Sequence, residues 1–223
     1  NFPLFDAGMG METLARQRGD APTFEEPIGL KDRKATPQAI ISSVADMLDG
    51  LDAGDQAVLF LAGHGLRDDA GRFYFATAGT DVKNLPGTAL EFDRLTDLLA
   101  QSDANITVLL DTCHSGSAGD GLFATNDDLA GDLTRLNSNV TVIAAAKGRQ
   151  ESKGTSEAGG GVFTLAFSRV VGEERQTFDV NDNGRIEAAE LYRGIRRLVG
   201  EYTDEDQTPW LINSRMVGTY ALF

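Results

Sequence analysis

The chain has 223 residues, 41% of them hydrophobic and 24% charged, which suits one globular domain with a sizeable core and gives no compositional sign of disorder. A formal net charge of −14 sets the surface against nucleic acid and anionic membranes and in favour of a cationic ligand. No apolar run reaches the roughly 18–20 residues that cross a bilayer, and a single Cys excludes both an internal disulfide and a Cys-rich zinc site, so a reducing, cytoplasmic location is expected.

The sequence opens Asn1-Phe-Pro-Leu-Phe-Asp, with neither an initiator Met nor the basic flank and apolar stretch of a signal peptide, as expected of a processed or trimmed product. A helix is predicted over Gly10–Arg18 and a short strand over Pro27–Leu30. Thr36-Pro37 offers an N-cap and a first-turn proline to a helix over Thr36–Leu51. Three apolar, β-rich runs follow at Ala57–Ala62, Ile106–Leu110 and Val140–Ala146, each reading as a strand buried on both faces. Between and after them lie helical patterns at Glu91–Gln101, Asp127–Leu136, Val162–Val171 and Ala188–Glu201, with a last strand at Val217–Phe223. Stretches rich in Gly, Ser and charge at Asp68–Arg72, Ser115–Gly121 and Gly148–Gly161 read as exposed loops. The order strand, helix, strand predicts an α/β fold with a mostly parallel central sheet sandwiched by helices and right-handed crossovers. No repeat and no interdomain linker divides residues 1–223, so a single domain is expected.

Both histidines stand beside the ends of predicted strands. His64 lies between Gly63 and Gly65 after the first, and Cys113-His114-Ser115-Gly116 follows the second. In open α/β sheets the crevice beyond the carboxyl ends of the strands is where ligands bind. Glycines beside His64 let backbone approach a substrate closely, and the N–H of Gly65 is positioned to help bind an oxyanion. A thiolate nucleophile needs an imidazole that lowers the thiol pKa and exchanges protons with the leaving group. Each residue has a plainer reading, Cys113 as a buried core cysteine and His64 as a strand-capping loop residue. The plainer readings are less probable jointly than singly. His114 is the weaker candidate for the base, since neighbours in a turn seldom point at one atom.

The blocks Phe60-Leu-Ala-Gly-His-Gly65 and Leu109-Leu-Asp-Thr-Cys-His-Ser-Gly116, with catalytic candidates about fifty residues apart, resemble the two catalytic blocks of metacaspases and of the bacterial caspase-like peptidases called orthocaspases. Phe73-Tyr-Phe75, Gly161-Val-Phe-Thr-Leu-Ala166 and Gln207-Thr-Pro209 are similar to that group as well, and the resemblance runs from about Met9 to the end. It implies a caspase-type fold, His64 as acid and base, Cys113 as nucleophile, and the N–H groups of Gly65 and Cys113 as oxyanion hole. A papain-type Cys-Gly-Ser-Cys-Trp block does not occur, and Asp111-Thr-Cys113-His-Ser-Gly116 stands where caspases carry Gln-Ala-Cys-x-Gly. The family's first strand and first helix have no counterpart before Met9. By that measure the domain is N-terminally incomplete, with an N-terminal fragment or an activating protease as an expected partner.

The segment Asp179–Glu190 fits the twelve-residue EF-hand loop. Asp179, Asn181, Asn183 and Glu187 fall at the first, third, fifth and ninth positions, Gly184 at the sixth, Ile186 at the eighth and Glu190 at the twelfth. Calcium would be bound by the side chains of Asp179, Asn181 and Asn183, by the carbonyl of Arg185, by Glu187 directly or through water, and by both oxygens of Glu190. The alternative is a capped polar turn holding no metal. Similar acidic loops in related bacterial proteins favour a structural ion, and no organic cofactor is expected.

For specificity, Asp111 sits two residues before Cys113, so in a strand the two share a face and Asp111 points toward the residue before the scissile bond. A carboxylate there favours Arg or Lys and repels Asp, the alternative being a strand-end residue that merely caps the next turn, and Glu151 is a second candidate. Substrates are therefore expected to be proteins or peptides with Arg or Lys before the cut, and processing is expected near Lys147, Arg149 and Lys153. Two other readings compete: a catalytically silent or regulatory caspase-like module stabilised by calcium, and a separase-like or gingipain-like peptidase.

Overall fold

The computed structural model describes residues 27–112, 123–135, 139–147, 150, 153, 161–212 and 222. The expected helix at Gly10–Arg18 lies outside them, as do Cys113, His114, Arg149 and Glu151. In chain order the strands are β1 (Gln56–Gly63), β2 (Gly65–Arg67), β3 (Phe73–Phe75), β4 (Leu90–Glu91), β5 (Asn105–Thr112), β6 (Val140–Ala144) and β7 (Trp210–Ile212). The helices are α1 (Pro37–Leu48), α2 (Leu85–Thr88), α3 (Phe92–Leu99), α4 (Asn126–Arg135), α5 (Val162–Val171), α6 (Arg175–Phe178) and α7 (Ala188–Thr203).

The main sheet has the order β1-β5-β6-β7, parallel from β1 to β6, with β7 antiparallel at the far side. β5 lies centrally, and alternation assigns its residues to two different cores. Ile106, Val108 and Leu110 join Ile40 and Val44 of α1, Phe92, Leu95 and Leu99 of α3 and Leu129 and Leu133 of α4. Leu109 joins Phe163, Phe167 and Val170 of α5 and Leu191, Ile195 and Val199 of α7. Such a strand must be apolar on both faces, which is why it reads as an unbroken hydrophobic run. Burying each of these Leu, Ile or Phe side chains contributes about 1.5–3 kcal/mol before the entropy of ordering the chain is set against it.

The helices form where capping and spacing coincide. Thr36 Oγ1 accepts from the Ala39 N–H at 3.2 Å and Pro37 opens α1, as expected, but the helix stops at Leu48. At α7, Glu187 and Glu190 form a reciprocal capping box, and the helix ends on Asp204 in the left-handed region at φ 49°.

Several expectations need correction. Pro27–Leu30 forms no strand, and Ile28 in it is 62% exposed. The run Val140–Ala146 is strand only to Ala144. Of the last strand expected at Val217–Phe223 only Leu222 is described, outside any strand, buried against the α5 and α7 core. The antiparallel β7, the short helices α2 and α6 and the small antiparallel sheet β2-β3-β4 were not foreseen, because segments of two to four residues are too short to show a period. Asp68–Arg72 is less a free loop than the turn between β2 and β3. Asp68 Oδ1 accepts from the N–H groups of Ala70 and Arg72, and its Oδ2 pairs with the Arg72 guanidinium and accepts from the Tyr74 hydroxyl at 3.2 Å.

Candidate active site

The site is built where β1 and β5 end together. Their parallel register runs from Gln56 opposite Asn105 to Ala62 opposite Asp111 and Gly63 opposite Thr112. His64 is the next residue of the first strand's chain, and Cys113 the next of the second's.

His64 is half-buried on the step from β1 into β2, and its carbonyl accepts from the Ala76 N–H at 2.9 Å. The glycines beside it serve packing. A Cβ on Gly63 would stand 2.7 Å from the Phe75 ring, and one on Gly65 would meet Leu129 Cδ1 at 2.8 Å and the Ala124 carbonyl at 3.1 Å. Gly63 thus leaves room for β3 and Gly65 for Leu129 of α4 and the Ala124 backbone, a reason different from the substrate approach read in the sequence. Gly65 stands opposite Phe75, but the ladder bond beside that pair is made by His64, so antiparallel geometry turns the Gly65 N–H away from β3. On that outer side its carbonyl accepts from the Ala124 N–H at 3.1 Å.

Asp111 is 1% exposed and lies on the α5 and α7 side of β5, where its Oδ2 accepts from the Thr164 hydroxyl in the first turn of α5 at 3.3 Å. Thr112 points the other way and donates its hydroxyl to Asn126 Oδ1 at the start of α4, while Asn126 Nδ2 donates to the Ala146 carbonyl at 3.1 Å. Asn126, Thr164 and the fully buried amide of Gln207 were missed as site-building residues. In the sequence nothing distinguishes a buried Asn, Thr or Gln from a surface one, although Gln207 falls in a motif noted for its resemblance. Glu151 and Cys113 lie outside the described residues. Lys153 is exposed, its N–H donates to Gln207 Oε1 at 2.8 Å and its carbonyl accepts from the Val162 N–H at 2.8 Å. Lys147 stands 5.6 Å over the Trp210 ring.

The Asp179–Glu190 loop lies between α6 and the start of α7, so α6, not α5, immediately precedes it. Its backbone turns through positive φ at Asp182 (55°) and Gly184 (75°). Asp179 accepts from the N–H groups of Asn183 and Gly184, and Asn183 Oδ1 accepts from the Arg185 N–H. Glu190 is 2% exposed and accepts from the N–H groups of Val180 and Glu187. The set of carboxylate, amide and carbonyl oxygens suits a hard cation. Among the described residues, however, no three His, Cys, Asp or Glu side chains are gathered as a metal cage. The loop is tied to the core by the Ile186 carbonyl, which accepts from the Leu222 N–H at 2.8 Å.

Among the described residues no helix is long and apolar enough to cross a membrane. No curated protein matches the sequence. The structure is similar to the crystal structure of a protein from Geobacter sulfurreducens, with a TM-score of 0.59 over 93% of this chain and 82% of that one at 21% identity, a likeness of fold. The family model of the caspase domain matches residues 21–220. With that match over nearly the whole length, and with a parallel sheet flanked by helices, the chain belongs to the caspase-domain family of cysteine peptidases.

Proposed function

We propose that the chain is an endopeptidase that cuts after Arg or Lys, with Cys113 as nucleophile and His64 as acid and base. The observation that carries this reading is the β1–β5 register. It pairs Gly63 with Thr112, and His64 and Cys113 are the residues that follow on two strands about 4.8 Å apart. In the reaction the Cys113 thiolate attacks the scissile carbonyl, and the oxyanion formed is met by the N–H groups of Gly65 and Cys113. Gly65 is given this part on the family resemblance. As the C–N bond breaks, the His64 imidazolium gives its proton to the departing amine, leaving a thioester on Cys113. Water then attacks the thioester, His64 takes its proton, and the carboxylic acid leaves with the thiol restored.

Asp111 is the proposed selector. A buried carboxylate on the strand that leads to Cys113 favours a guanidinium or ammonium and disfavours a substrate Asp. Glu151 is a second proposed contributor, and the N-terminal partner and proteolytic activation are proposed on the family resemblance. Calcium is the proposed ion of the Asp179–Glu190 loop, held by Asp179, Asn181, Asn183, the Arg185 carbonyl, Glu187 and Glu190. Bound there it would cross-link the loop to the start of α7, and the positive-φ turns at Asp182 and Gly184 support the loop's shape.

The test is turnover of matched reporter peptides ending in Arg, Lys or Asp. Cys113→Ala and His64→Ala should each lose activity by about a thousandfold or more, with His114→Ala close to the parent. Asp111→Ala should lower cleavage after Arg by about a hundredfold. A Cys113→Ala protein that turns over at the parental rate, or a parent that prefers Asp, would sink the assignment.

A further inference from the structure

Behind Asp111, at the carboxyl end of the sheet, one side chain joins three stretches of chain. After α7 the chain reverses through Asp204 and Glu205, both in the left-handed region, with the Glu205 N–H closing on the Gly200 carbonyl. The reversal delivers Gln207, 1% exposed, to the edge of the sheet. Its own N–H donates to Thr203 Oγ1 at 3.2 Å. Its side-chain Nε2 donates to the Ala145 carbonyl at 2.8 Å, and its Oε1 accepts from the Lys153 N–H at 2.8 Å. Both contacts lead on toward Asp111. The Ala145 N–H donates to the carbonyl of Leu110, the residue before Asp111. The Lys153 carbonyl accepts from the N–H of Val162, first residue of α5, and two residues later Thr164 donates to Asp111.

A carboxamide is the chemistry this position needs, because it must donate at one end and accept at the other. A carboxylate cannot donate to Ala145, an ammonium cannot accept from Lys153, and an apolar side chain leaves the buried Ala145 carbonyl and the part-buried Lys153 N–H without their partner. Neighbouring contacts fix the same two segments from outside. Gln150 Oε1 accepts from the Thr208 N–H at 3.0 Å, and Lys153 Nζ pairs with Asp206. The turn after α7 and the segment after β6 are thus locked at several points, of which only the Gln207 amide is buried.

We infer that Gln207 is a positioning residue for substrate selection: it holds the end of β6 and the first turn of α5 in the places that fix Asp111 beside Thr164. This rests on the peptidase reading of the site and on Asp111 as selector. Since a guanidinium pairs with a carboxylate through a planar two-point contact and an ammonium through one, looseness at Asp111 penalises Arg more than Lys. Gln207→Leu should therefore lower kcat/KM for an Arg peptide by about tenfold, the equivalent of one lost buried hydrogen bond, and should narrow the preference for Arg over Lys. Amide exchange at Lys153 and Val162 should quicken with it.

Gln207→Glu supplies the second arm. Burial raises a carboxyl pKa, so at acidic pH the protonated acid can donate to Ala145 and accept from Lys153, and the donor is lost as pH rises through that pKa. Its activity relative to the parent at the same pH should fall between pH 5 and 8. A Gln207→Leu protein with parental kcat/KM, parental Arg-to-Lys ratio and unchanged Lys153 exchange would overturn the proposal. If Gln207→Leu does not fold, a Gln207→Glu ratio that stays flat with pH would overturn it equally. A parent that cleaves neither peptide would refute the peptidase reading instead, and Lys153 exchange would still decide whether the clamp exists.

Discussion

The carboxyl end of the sheet and the Asp179–Glu190 loop are both assembled from polar side chains that bond to backbone, yet the first is dry and the second is wet. Asn126, Asp111, Thr112 and Gln207 are each at most 1% exposed, whereas residues 180–185 are all exposed. A hydrogen bond lost at the buried end leaves a group with no water to replace its partner, while one lost in the loop is replaced by solvent. The difference teaches that the proposed catalytic edge has its geometry fixed by the fold itself. The exposed part of the loop, residues 180–185, keeps its shape by short-range bonds that cost little to rearrange, while Ile186 and the buried Glu190 anchor it to the core.

The largest expected effect comes from breaking the buried side of this comparison. Asn126→Leu removes the acceptor of Thr112 and the donor to Ala146 together, and should destabilise the protein by about 2–5 kcal/mol, lowering Tm by about 5–15 °C. Asn181→Ala, in the exposed loop, should change stability by no more than about 0.5 kcal/mol. Urea or thermal unfolding measures both, and equal effects would remove the contrast.

A smaller effect sharpens the other side. If calcium is held by the loop, a concentration a hundred times its Kd should stabilise the folded state by about 2.7 kcal/mol, raising Tm by about 5–10 °C. The rise should vanish in Asp179→Ala and in Glu190→Gln. No shift at millimolar calcium would leave the segment a capped polar turn.

The smallest effect belongs to a region between the two extremes, the turn between β2 and β3. Covering by neighbouring atoms would raise the Asp68 carboxyl, but the Arg72 N–H and guanidinium and the Tyr74 hydroxyl outweigh this and hold it below the ordinary carboxylate value. A carboxylate depressed on folding stabilises at pH above its unfolded pKa, about 3.9, and that contribution is lost as pH falls through the folded value. Asp68→Asn should therefore differ from the parent most at neutral pH and converge with it toward pH 3. A gap that widens on acidification would contradict the assignment.

The ends of β1 and β5, which His64 and Cys113 follow in the sequence, were legible because each closes an apolar run long enough to be recognised as a strand, and two such blocks in order carry a family pattern. The cores of α1, α5 and α7 were legible for a similar reason, since a helical period repeated over ten or more residues survives any tertiary arrangement. Asp111 could be assigned a face by alternation along β5, though not its partner Thr164, which lies 53 positions further along the chain.

What the sequence determined by itself was thus whatever is repeated or contiguous: the three parallel strands, the long helices, the order of the two proposed catalytic blocks and the twelve spaced positions of the polar loop. Only the tertiary structure decided which polar residues are buried, that Asn126 and Gln207 brace the carboxyl end of the sheet from its two sides, and that β7 and the small antiparallel sheet exist at all. The physical reason is range. Periodicity and capping act within a few residues, whereas burial of a single amide depends on segments brought together from distant parts of the chain, and one isolated polar residue leaves no local trace of that meeting.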